Sequence, residues 1–133
     1  MSEAGMWRAL QKQLAQRKVL YQRIEDRVSK GIPDLIVEAD DGSMLWIELK
    51  WSNNIAVPPN RKVQRLPHFT IEQKSFLTEW WNTAVVWKIG REWFVFSDHY
   101  DKLGRVTYME LTTLCEFSGS VNDVAEWLKG GHF

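Results

Sequence analysis

Two apolar runs, LIV and MLWIEL, sit close together in residues 31–50, GIPDLIVEADDGSMLWIELK. Alternating and continuous apolar stretches bounded by turn residues predict strands over residues 32–39 and 44–51, joined by a turn at DDGS. Pro33 belongs at a strand start or edge, because it offers no N–H to a ladder, and it holds Ile32 extended. Upstream, residues 6–18 predict a helix with Trp7, Leu10 and Leu14 on one face and Arg8, Gln11, Lys12 and Arg17 on the other. Residues 19–25 alternate weakly and predict a first strand. Residues 70–82 predict a helix opened by a capping box, with Thr70 as N-cap and Gln73 three residues on. Residues 84–97 predict a strand pair turning at Gly90-Arg91. Residues 106–111, VTYMEL, predict another short strand. Residues 120–131 predict a closing helix with Ser120 as N-cap and Gly130 as stop. The three-proline stretch 52–69 predicts a long loop, and loops of that length in compact domains usually carry function.

The predicted order is a helix, three strands, a helix, three strands and a closing helix, and the expected fold is α/β, with a central mixed β-sheet flanked by helices. The 133 residues suit a single domain spanning 1–133. A hydrophobic fraction of 44% and eight tryptophans exclude a disordered chain. The single cysteine, Cys115, forms no internal disulfide, which points to a reducing compartment. The opening MSEAGMWRALQKQLAQRKV lacks a signal-peptide apolar core, and no run reaches transmembrane length. The expected location is cytoplasmic, with no membrane partner. No G-x-G-x-x-G follows a strand, which disfavours a dinucleotide enzyme.

Formal charge is zero, with 17 basic and 17 acidic residues, which argues against simple electrostatic nucleic-acid binding. The halves differ: residues 1–74 hold 12 Lys and Arg against nine Asp and Glu, and residues 75–133 hold five against eight. A difference of that size also arises by chance.

The charges inside the apolar runs carry the chemical signal. On a strand over 44–51, Leu45, Ile47 and Leu49 share one face and Trp46, Glu48 and Lys50 share the other. Glu48 and Lys50 then lie about 7 Å apart along the strand. An antiparallel hairpin sets the start of its first strand beside the end of its second, so Asp34 joins Glu48 and Lys50. Two close carboxylates repel unless a cation lies between them. Mg²⁺ commonly takes one or two carboxylates with waters and phosphates, and the Leu49 backbone carbonyl offers a further oxygen. A lysine beside such an ion suits proton handling or phosphate charge stabilisation. The pattern points to metal-assisted phosphodiester hydrolysis. The plainer alternative is a strand-end salt bridge of Asp34 or Glu48 with Lys50.

Gly31-Ile32-Pro33-Asp34 followed by Glu48-Leu49-Lys50 resembles the PD-(D/E)XK nuclease signature, and GIPDLIV…WIELK is most similar to its VRR-NUC branch, related to Holliday-junction resolvases. The resemblance covers roughly residues 20–97. Small stand-alone members of that branch are often phage-encoded, which would put the protein in the host cytoplasm. It implies a restriction-endonuclease-like fold and a Mg²⁺-dependent DNA endonuclease, with Mn²⁺ able to substitute, acting on branched DNA such as a Holliday junction. Asp34 and Glu48 would hold the metal and Lys50 would serve the attacking water. Gln73 is similar to the glutamine that follows the motif in this branch; its other reading is the capping box, and one side chain can do both.

Members of the branch often add an acid from the N-terminal helix, and here residues 7–20 contain none. Glu25 is the preferred replacement, against its reading as a solvated surface acid. The missing acid leaves open one metal or two, and a weak or inert nucleic-acid-binding module on the same fold. A purely structural or partner-binding protein is the third reading. Arg61, Lys62, Arg65 and Lys74 are the candidate DNA contacts. Surplus aromatics and the two symmetric cuts of a four-way junction imply a homodimer. His68 has no second histidine or cysteine at ligand spacing, which argues against a zinc site.

Overall fold

The computed structural model describes residues 3–24, 31–52 and 69–130. Six strands form one sheet in chain order: β1 (Leu20–Arg23), β2 (Leu35–Glu38), β3 (Met44–Ser52), β4 (Thr83–Ile89), β5 (Glu92–Phe96) and β6 (Phe117–Gly119). Four α-helices accompany them: α1 (Glu3–Gln16), α2 (Ile71–Glu79), α3 (Tyr108–Leu114) and α4 (Val121–Gly130). β3 and β4 run parallel and every other pair is antiparallel. The expected mixed sheet flanked by helices is therefore present. The parallel pair follows from chain order, because β3 and β4 are joined through α2, and a parallel pair needs such a crossover.

Helices cover both faces of the sheet. On one face α1 contributes Met6, Leu10 and Leu14, and α4 contributes Val124, Ala125 and Leu128, packed on Leu35, Val37, Leu45, Ile47 and Val86. Each fully buried leucine there is worth about 2 kcal/mol of transfer free energy. On the other face Leu77 of α2 and Leu111 of α3 pack on Val85, Trp87, Phe94 and Phe96. The alternation expected for β3 holds: Leu45, Ile47 and Leu49 enter the first core, and Trp46, Glu48 and Lys50 face α2. Trp51 packs against the first core as well.

Several boundaries differ from expectation. The α1 stripe is Met6-Leu10-Leu14, with Trp7 on its flank. The helix stops at Gln16 rather than residue 18 because Lys18 turns left-handed (φ 57°). Val19 N–H then reaches Leu14 O at 3.0 Å and Lys18 N–H reaches Ala15 O at 3.1 Å, a Schellman ending. The α2 helix ends at Glu79 rather than residue 82, with Trp80 already extended.

Residues 106–111 are not a strand. Thr107 caps α3 through Glu110, in the same capping box that opens α2 at Thr70. The β6 strand, absent from the sequence reading, adds a three-residue edge beside β5. Gly90 takes a positive φ (60°) at the expected β4–β5 turn. The buried Lys88 ammonium donates to the Gly90 carbonyl beside it. Among the described residues no helix is long and apolar enough to cross a membrane.

Candidate active site

Local geometry brings Asp34 to the end of β3. Register pairs Leu35 with Ile47, so Asp34, one residue before β2, lies level with Glu48. Its carboxylate replaces the missing strand there: the Leu49 N–H donates to Asp34 Oδ2 at 2.9 Å. The N–H and C=O of one strand residue point to the same side. The Leu49 carbonyl therefore also faces the Asp34 side of β3, as its proposed role as a ligand requires. The Asp34 carbonyl accepts from Ile24 N–H at 2.8 Å, which fixes the residue from the β1 side.

Gly31 sets how closely this turn approaches α2. Its φ is +88°, and a Cβ built there would lie 2.5 Å from the Glu72 carbonyl oxygen. Glycine is thus required twice, by backbone conformation and by space. The contact ties the turn leading to Asp34 to the helix that carries Gln73.

Glu48 and Lys50 are both buried, with 2% and 7% of their surface exposed. Gln73 connects them. Its Nε2 donates to Glu48 Oε1 at 3.3 Å, and its Oε1 accepts from Lys50 Nζ at 3.1 Å. The same Oε1 accepts from Thr70 N–H at 3.1 Å, and Gln73 N–H donates to Thr70 Oγ1 at 3.1 Å. Gln73 therefore serves the capping box and the charged cluster at once. Lys50 Nζ lies 3.9 Å from Glu48 Oε1 and 5.9 Å from the centre of the Phe69 ring. The salt bridge weighed in the sequence reading exists, but at the long end of ion-pair distance.

Among the described residues Glu48 Oε2 is buried and meets no hydrogen-bond donor. Burial pushes the Glu48 carboxyl up to about 9, and the neighbouring Asp34 carboxyl adds to it by hydrogen bonding and by charge; Lys50 and Arg23 oppose the rise. As two ionised carboxylates, Asp34 and Glu48 offer each other no donor. A shared proton relieves that conflict, and so does a cation. The donor set fits a hard divalent ion: carboxylate oxygens of Asp34 and Glu48 with the Leu49 carbonyl. No third His, Cys, Asp or Glu joins them among the described residues.

Arg23 is the site residue that sequence reasoning missed. Its Nη1 lies 3.9 Å from Asp34 Oδ1 and donates to the Asp34 carbonyl at 3.5 Å. Extending the hairpin argument one strand back would have found it, since β1 pairs with β2 and sets Arg23 opposite Leu35. Lys74 follows Gln73 on α2, about 100° round the helix, and is half-buried. Glu25, Arg61, Lys62 and Arg65 lie outside the described residues, as do Asn53, Asn54 and His68. Trp46 shares the Glu48 face and packs edge-on against Phe76, ring centres 5.4 Å apart.

Comparison with known proteins supplies no relative: no family model, curated protein or solved structure matches the chain.

Proposed function

We propose that the chain is a divalent-metal-dependent DNA endonuclease with a PD-(D/E)XK site on a restriction-endonuclease-like sheet. The observation that carries this reading is Glu48. It is a buried acid whose Oε2 meets no donor among the described residues, beside a second acid, with a lysine and a glutamine hydrogen-bonded into the same cluster. A structural ion pair needs no second carboxylate, and an isolated buried acid is costly without a compensating charge.

Asp34, Glu48 and the Leu49 carbonyl would hold the ion. Bound Mg²⁺, or Mn²⁺ in its place, would supply Lewis acidity toward the phosphodiester and a more acidic water. Lys50, held at Nζ by Gln73 Oε1, would serve the attacking water or stabilise charge on the phosphate. Gln73 is a positioning residue for both Glu48 and Lys50. Lys74, next to Gln73 on α2, would contact the DNA, as would Arg61, Lys62 and Arg65 from the segment between β3 and α2. Preference for branched DNA, and action as a homodimer on its paired cut sites, are parts of the same proposal.

Purified protein presented with a four-way junction, a flap, single strands and duplex tests the reading. Cutting is expected with Mg²⁺ or Mn²⁺, none with EDTA, and none by Asp34→Ala with an unchanged circular dichroism spectrum. An Asp34→Ala protein that cuts like wild type overturns the site. DNA binding without cutting overturns the enzyme and leaves a binding module.

A further inference from the structure

The two carboxylates meet cations from opposite faces of the sheet: Lys50 lies 3.9 Å from Glu48 and Arg23 lies 3.9 Å from Asp34. Lys50 belongs to the α2 face. Arg23 belongs to the α1 face, because it pairs in register with Leu35, which packs in the core beneath α1. Its guanidinium carbon stands 5.2 Å from the centre of the Trp7 ring. Trp7 is itself held edge-on by Tyr21, ring centres 5.6 Å apart, and the Tyr21 hydroxyl accepts from Gln11 Nε2 at 3.0 Å. An aromatic stack fixes the plane of a guanidinium and leaves its N–H edge to do the recognising.

The contact with Asp34 does not use that edge fully. A charge-assisted N–H···O bond is typically about 2.7–2.9 Å long and an arginine fork takes two oxygens at once. Here the pair is 3.9 Å apart and the bond to the carbonyl is 3.5 Å, while 28% of the arginine side chain remains exposed. A side chain recruited only to brace Asp34 would close on it. Resting on the nuclease reading, we propose that Arg23 binds the phosphodiester at the Asp34 end of the site, with two guanidinium N–H groups on non-bridging phosphate oxygens. Arg23 then supplies, on the α1 side of Asp34, a fixed positive charge in place of a further acid. It is the substrate's anion, and not the metal, that this side of the site recognises.

The two roles for Arg23 separate because the guanidinium charge repels a cation held by Asp34. The test compares wild type with Arg23→Gln and Arg23→Lys, using Mn²⁺ binding without DNA, DNA affinity in EDTA, and single-turnover cutting. For Arg23→Gln, Mn²⁺ binding is expected as tight as wild type or tighter. Cutting is expected to fall roughly 100-fold or more, the usual loss of a donor on a transition-state anion. Arg23→Lys keeps the charge but loses the fork, and is expected to recover only part of that rate. Parallel loss of Mn²⁺ affinity and cutting would make Arg23 a brace for Asp34 and overturn the proposal. So would an Arg23→Gln protein that cuts normally. If Arg23→Gln does not fold, Arg23→Lys decides: full wild-type cutting overturns the proposal. Wild-type protein that cuts no DNA with any metal fails the nuclease reading itself, a result distinct from either.

Discussion

Gln73 Oε1 accepts from Lys50 Nζ at 3.1 Å while the same oxygen accepts from the Thr70 N–H that begins α2. The device that starts the helix is also the device that aims the lysine. Its consequence is that helix stability and lysine placement share one atom but can be separated by mutation.

Thr70→Ala removes the hydroxyl that accepts from Gln73 N–H and leaves the Gln73 side chain. It should cost about 1 kcal/mol in denaturant unfolding and change cutting little. Gln73→Ala should cost a similar amount of stability and also lower the cutting rate at least tenfold, because Lys50 and Glu48 both lose a partner. Equal activity loss in the two variants would show that only the helix start matters.

Glu48 gives the metal-free protein a pH signature. Burial pushes its folded-state carboxyl up to about 9, from the ordinary 4.5, so the folded state holds the extra proton between those values. Stability is therefore fully present below about 4.5 and falls as pH rises toward 9, with a limiting slope of about 1.4 kcal/mol per pH unit. Glu48→Gln should remove that slope, as should saturating Mg²⁺ on the wild-type protein. Urea unfolding in EDTA at a series of pH values checks both; an unchanged slope in Glu48→Gln would mean that another group carries it.

Gly31→Ala forces a Cβ to within 2.5 Å of the Glu72 carbonyl oxygen at a φ of +88°. The expected cost is about 2 kcal/mol or more, since neither backbone yields without moving the other. Cutting should fall further than stability explains, because the turn to Asp34 and the helix of Gln73 separate together. Thermal unfolding and cleavage of the same preparation measure the two effects.

What the sequence revealed depended on whether a signal was local. The Asp34–Glu48–Lys50 convergence follows from strand alternation and one hairpin, both readable over twenty residues. The capping boxes at Thr70 and Thr107 are equally local, yet only the first opens a helix long enough to be read from the sequence. Val106, Thr107 and Tyr108 favour strands, and α3 is only seven residues long, too short to display a period. The β6 strand has three residues and exists only through pairing with β5, so nothing in its own composition announces it. Arg23 is likewise defined by partners distant in sequence: Trp7 on α1 and Asp34 at the start of the neighbouring strand. The burial of Lys50 could not be read from a pattern that placed it at a strand end.

The most direct test of the central claim is metal-dependent cutting by Lys50→Ala. Wild type and variant are assayed side by side on the four-way junction, flap, single-stranded and duplex substrates, with Mg²⁺ or EDTA, and binding to each DNA is measured in EDTA. The account predicts Mg²⁺-dependent products from wild type and at least a 100-fold slower rate from Lys50→Ala, with DNA affinity within a few-fold. A Lys50→Ala protein that cuts as fast as wild type would contradict it.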